Sequence, residues 1–118
     1  MGITTIDAKV FNPSDVSRAI EINFTVDSRA IYSVVPKGIL QKLEIEARGT
    51  KRFYLANGDA IEREMGILGF EFLGEVTAAT VLFGEEGDAA LLGITTLEGF
   101  GFILDPLRRE LRPMPMRT

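Results

Sequence analysis

Cysteine, histidine and tryptophan are all absent from this chain of 118 residues. Without cysteine there can be no disulfide, no thiolate zinc site and no cysteine nucleophile, and the redox compartment is left open. Without histidine, Ser-His-Asp and Cys-His catalysis and imidazole-based metal sites are excluded as well. Acid/base chemistry at neutral or acidic pH therefore falls to carboxylates. No apolar run approaches the ~18 residues a membrane-spanning helix needs, so no membrane association is expected. The start, Met1-Gly2-Ile3-Thr4-Thr5-Ile6, lacks the basic head and apolar block of a signal peptide, so a cytoplasmic location is expected. Basic patches with interleaved aromatics are missing too. The 13 Lys and Arg are scattered among 17 acidic residues for a net charge of −4, which argues against nucleic acid as a partner.

What is present is apolar content: 46% of residues are hydrophobic, enough for one globular domain over residues 1–118. A core in a chain below ~150 residues is modest, and oligomerisation would add to it. Asn, Pro and Gly punctuate the sequence into short pieces. Residues 3–11 alternate in part and stop at Asn12-Pro13, while 17–26 and 30–35 read as two further strands. Pro36 opens a short helix that carries Ile39, Leu40 and Leu43 on one face. Lys51–Leu55 and Ala60–Met65 flank Ala56-Asn57-Gly58-Asp59, a hairpin signal because Asn and Gly both tolerate positive φ. Strands are expected at 66–73 and 75–83, followed by a polar turn at Glu85-Glu86-Gly87-Asp88 that lacks the spacing of a cation loop. Ala89-Ala90-Leu91-Leu92 reads as a brief apolar strand ending at Gly93. Thr95 or Thr96 is placed to cap a helix over 96–100 that stops at Gly101. Phe102-Ile103-Leu104 is a last apolar strand before the turn at Asp105-Pro106, and Glu110-Leu111-Arg112 is a short edge strand. Many short strands with one or two short helices predict an all-β fold, a small barrel or sandwich.

The stretch Phe24-Thr25-Val26-Asp27-Ser28-Arg29-Ala30-Ile31-Tyr32-Ser33-Val34-Val35-Pro36 stands out from the rest. Phe24 and Val26 alternate with Asn23 and Thr25, so Asp27 falls where a half-buried strand ends and the chain turns. A carboxylate between two apolar runs suits general acid/base chemistry. Considered alone, an aspartate beside a serine reads more readily as one making an Asx turn. The stretch resembles the active-site loop of retropepsin-like aspartic proteases, in which an apolar run delivers Asp-Ser/Thr-Gly-Ala. Other features follow in the family's order: an apolar strand leading to the helix that ends Leu40-Gln41-Lys42-Leu43, an Asn-Gly hairpin, and Leu91-Leu92-Gly93-Ile94 ahead of a short helix. The similarity spans roughly residues 17–113.

The resemblance implies an acid-protease-type barrel and a catalytic role for Asp27, supported by Ser28, Arg29 and Ala30. It makes Ala56, Asn57, Gly58 and Asp59 a flap over the substrate, and Leu91, Leu92 and Gly93 the segment packed against the catalytic loop. It implies no cofactor and no metal. The family's chemistry needs two aspartates sharing a proton around one water. This chain carries a single motif, since neither Asp88-Ala89-Ala90 nor Asp105-Pro106-Leu107 supplies a second. The implied enzyme is therefore a homodimer acting on a peptide or protein substrate, with one Asp27 from each subunit. Arg29 stands where the family has glycine. Its charge could give each carboxylate its own cation and remove the shared proton, or its side chain could point into solvent and leave only a backbone role. The alternative to an active endopeptidase is thus a catalytically silent module for dimerisation or peptide binding.

Overall fold

The computed structural model describes residues 4–54, 56–85, 87–105 and 107–114. Leu55 of the expected hairpin, Glu86 of the polar turn and Pro106 lie outside them. Nine strands and two short helices follow one another in these residues: β1 (Thr5–Asn12), β2 (Asp15–Val26), β3 (Ser33–Pro36), α1 (Lys37–Lys42), β4 (Gly49–Tyr54), β5 (Ala60–Phe72), β6 (Glu75–Gly84), β7 (Leu91–Leu92), α2 (Ile94–Phe100), β8 (Phe102–Asp105) and β9 (Glu110–Pro113).

The first seven strands make one sheet in the order β1-β2-β7-β3-β6-β5-β4, and an additional β1–β5 pairing closes it into a ring. Period-two alternation fills the interior. Ala8 and Val10 of β1 and Ile22, Phe24 and Val26 of β2 point inward, while Asp7 and Asn23 pair across the outer face at 2.9 Å. Phe24, Phe70, Phe100, Phe72 and Phe102 form a chain of ring contacts, each 6.0–6.5 Å between centroids, running from the barrel interior to α2 and β8. Each such pair adds about 0.5–1.5 kcal/mol beyond the area it buries. The ring ties α2 and the β8–β9 hairpin to the barrel.

Several element boundaries differ from those the sequence predicts. Residues 60–72 form one continuous strand rather than two, because Gly66 does not break it. A Cβ at Gly66 would lie 2.8 Å from the Glu46 carbonyl oxygen, so this glycine serves close packing instead of a turn. The third strand begins at Ser33 rather than residue 30, and β7 comprises Leu91 and Leu92 alone, without Ala89 and Ala90. Helix α2 starts at Ile94 with Gly93 as its N-cap, so Thr96 lies inside the helix and neither Thr95 nor Thr96 caps it. Gly101 ends it in the left-handed conformation, φ 85°, as expected. The β4–β5 hairpin forms as expected, but Tyr54 pairs with Ala60 and five residues span its loop. Among the described residues of the loop only Gly58 takes positive φ (90°); Asn57 instead accepts a hydrogen bond from the Asp59 amide at 2.9 Å, an Asx turn.

No helix among the described residues is long and apolar enough to cross a membrane.

Candidate active site

Asp27 follows the last residue of β2, and the local backbone is fixed by the parallel β2–β7 pairing of Thr25 with Leu91 and Val26 with Leu92. The Asp27 amide donates to the Leu92 carbonyl at 3.0 Å, and the Ala30 amide returns to the Asp27 carbonyl at 3.1 Å, which closes the turn. Two α2 amides complete the attachment: Ile94 donates to the Ala30 carbonyl at 2.8 Å and Thr95 to the Ile31 carbonyl at 3.1 Å. The loop carbonyls thus satisfy donors that a helix start leaves open, which is why α2 needs no side-chain cap. Gly93 makes the close approach possible, since a Cβ there would sit 2.5 Å from the Tyr32 carbonyl carbon.

Beneath the loop lies a polar pair that the sequence analysis missed. Ser33 and Thr96 are fully buried, their hydroxyl oxygens 2.6 Å apart, and the Gly93 amide donates to Ser33 Oγ at 3.0 Å. Residues 27–33 and 91–96 are thereby held together from both the surface and the interior. Ser33 sits between Tyr32 and Val34 in an apolar run, so only its inward phase in β3 could have marked it.

The Asp27 carboxylate is bound on one side only. Its Oδ1 accepts from the Arg29 amide at 3.0 Å and from Arg29 Nε at 3.3 Å, while Oδ2 has no hydrogen-bond partner among the described residues. The amide donation expected of the motif glycine is therefore kept. Arginine fits because its φ is not positive. The Asp27 side chain is 27% exposed and that of Arg29 92% exposed. Ser28 is exposed as well, and its hydroxyl has no partner among the described residues.

Two adjoining cavities open between the β4–β5 hairpin and the ring. One, ≈ 380 Å³, is lined by Val34, Phe53, Ile61, Leu82 and Leu91, with Arg63, Asp88 and Ala89 at its polar side. The other, ≈ 300 Å³, reaches Arg29, Ala30, Ile31 and Tyr32 and shares Val34, Phe53 and Leu82 with the first. Phe53, not its exposed neighbour Tyr54, is the β4 residue that faces this space. Alternation along β4 carried that signal. Ala56, Asn57, Gly58 and Asp59 form the exposed tip and line neither cavity.

Asp88 and Asp105 serve turns. Asp88 accepts from the Glu85 amide at 2.8 Å, and Asp105 accepts from the amides of Leu107 and Arg108 at 3.0 and 3.2 Å. No cluster of three metal-ligating side chains exists among the described residues.

A closed ring of short strands, with an Asp-Ser-X-Ala loop held against an apolar-apolar-Gly segment and a hairpin above it, defines the retropepsin-like aspartic protease fold. Solved structures agree. The chain is similar to the simian foamy virus (mac) protease, with 19% identity, 80% of this chain and 91% of that one covered, and a TM-score of 0.58. It is similar to a retropepsin-like aspartic protease from Rickettsia conorii, with 26% identity over 88% and 77% of the two chains and a TM-score of 0.56. It also matches the retroviral protease-like domain of Ddi1 from Leishmania major, with 15% identity, 95% and 90% coverage and a TM-score of 0.52. No protein-family model matches the sequence, and no curated protein matches it.

Proposed function

We propose that the protein is an aspartic endopeptidase acting as a homodimer, with Asp27 of each subunit forming the catalytic pair. The observation that carries this reading is the one-sided Asp27 carboxylate: Oδ1 is held by the Arg29 amide, Oδ2 has no partner among the described residues, and the side chain is partly exposed. Two such carboxylates facing each other would hold one water and one proton between them. The unprotonated one takes a proton from water as the water oxygen attacks the peptide carbonyl carbon. The protonated one gives its proton to the carbonyl oxygen. Collapse of the tetrahedral intermediate then breaks the C–N bond as the amide nitrogen is protonated. The substrate would lie extended between the hairpin and the ring, hydrogen-bonded like an added strand. In this reading the hairpin tip at Ala56–Asp59 is the flap, Ser28 and Ala30 support the loop, and Leu91, Leu92 and Gly93 brace it. No cofactor takes part.

One observation favours the silent-module reading: the Arg29 guanidinium lies 3.3 Å from Asp27 Oδ1. Magnitude decides between the two. An ion pair with a cation this exposed is worth about 0.2–1 kcal/mol, too little to keep the carboxylate from a bound substrate.

The test compares wild type, Asp27→Asn and Arg29→Gly on a denatured protein substrate from acid to neutral pH. Wild type cleaves, Asp27→Asn does not, and Arg29→Gly is faster by up to about fivefold, the equivalent of about 1 kcal/mol. Cleavage that survives in Asp27→Asn rejects the dyad. Cleavage that arises only in Arg29→Gly establishes the silent module.

A further inference from the structure

The inner face of the β4–β5 hairpin carries Lys51 and Phe53, paired across the ladder with Arg63 and Ile61. Two apolar side chains are thus flanked by two cations. Arg63 is engaged by Glu85 at 3.6 Å. Lys51 has no carboxylate within ion-pair distance among the described residues; its ammonium instead stands over the Tyr32 ring, 5.7 Å from the centroid. Tyr32 lines the ≈ 300 Å³ cavity together with Arg29. Within the Arg29 guanidinium only Nε makes a hydrogen bond among the described residues, so the terminal nitrogens of this exposed side chain are free to turn outward. A molecule with a net charge of −4 therefore presents two under-committed cations beside one apolar cavity, Arg29 in its lining and Lys51 over the ring of Tyr32, another lining residue.

Resting on the endopeptidase reading, we infer that the cleft selects a peptide bearing a carboxylate next to an apolar side chain. The apolar group fills the space between Tyr32, Val34, Phe53 and Leu82, and the carboxylate is received between Arg29 and Lys51. Arginine offers a planar pair of donors, and lysine supplies a point charge already partly withdrawn from water over an aromatic face. The carboxylate is either an Asp or Glu side chain or the terminal carboxylate of the peptide. Because the contact lies at a partly exposed rim, the preference weakens as salt screens it.

The experiment uses leucine-containing octapeptides that differ only in a Glu, Gln or Lys scanned along the sequence, each with a free or an amidated C-terminus. Binding to the Asp27→Asn protein is followed by fluorescence anisotropy, and cleavage by wild type is measured in parallel. Glu peptides, or free-acid peptides, bind at least about fivefold tighter than their Gln or amide counterparts, a difference within reach of two rim cations. Whether the side-chain or the terminal carboxylate carries the gain identifies its source. Lys51→Met removes most of the preference and Lys51→Glu inverts it in favour of Lys peptides, with circular dichroism confirming an intact fold. Equal affinities across the series, or a preference unmoved in both Lys51 variants, overturn the inference while cleavage by wild type leaves the endopeptidase standing. Peptides neither bound nor cleaved overturn both.

Discussion

Ser33 and Thr96, 63 residues apart in sequence, share one buried hydroxyl contact, and Ser33 also receives the Gly93 amide. Removing the Ser33 hydroxyl leaves a buried N–H without its acceptor and a buried hydroxyl without its partner, and each such group costs about 1–3 kcal/mol. Ser33→Ala is therefore expected to lose about 2 kcal/mol of stability in urea titration, and to lose activity further because the Asp27 loop is braced from that side. A loss below about 0.5 kcal/mol rejects the role given to the pair. Asp27 was legible in the sequence because a lone carboxylate between apolar runs is chemically conspicuous. Ser33 was not, because a small hydroxyl residue inside an apolar strand has no local signature, and its meaning depends on a partner far along the chain.

Among the elements, β7 has the most influence for its size. Two residues pair with β2 on one side and β3 on the other, and Gly93 follows with no room for a side chain. In Gly93→Ala the new methyl collides with the Tyr32 backbone, which has no flexible end to move aside. Overpacking of this kind costs about 1–3 kcal/mol. Relief would come by displacing the loop that carries Asp27, so cleavage should fall more than the melting temperature does. A variant with normal turnover and a lowered melting temperature contradicts that coupling. Strands and hairpins were readable from alternation and punctuation, yet the reading failed where glycine had two possible meanings. Gly66 read as a break between strands, while the structure uses it to let β5 pass the Glu46 carbonyl. Thr96 read as a cap, but the cap is supplied by backbone carbonyls of a distant loop, which no local pattern reports.

At the scale of the whole molecule, motif order announced the barrel, but not the β1–β5 and β2–β7 pairings that close it, since register between distant strands leaves no mark in composition. In the proposed endopeptidase, one Asp-Ser motif per chain makes dimerisation the condition for activity. Sedimentation at roughly tens of micromolar is expected to give a dimer for wild type and for Asp27→Asn alike; a monomer rejects the two-chain dyad. Acid stability follows from the turn after β8. The Arg108 amide, followed by the Leu107 amide and the Arg112 guanidinium, holds the Asp105 carboxyl below its ordinary value of 3.8 against a smaller opposing effect of desolvation. The Ser17 hydroxyl does the same for Asp15. A carboxyl with a lowered pKa in the folded state stabilises above its unfolded value and ceases to do so as pH falls through the folded one. The stability gap between wild type and Asp105→Asn is thus expected to narrow below about pH 4 in urea titrations, and a gap constant into acid rejects the assignment. The two-residue closing strand also sets an order of events during synthesis. Asp27 emerges from the ribosome long before Gly93, which lies 60 residues beyond Ser33, and long-range parallel pairing is slow to form. Until β7 is wedged between β2 and β3, the nascent chain carries the aspartate and its local turn but lacks the contacts from Leu92, Ile94 and Thr95 that hold that turn in place. In the proposed endopeptidase the geometry of the site is therefore acquired last, in the same step that closes the ring, and a half-made chain would be latent toward itself and its neighbours.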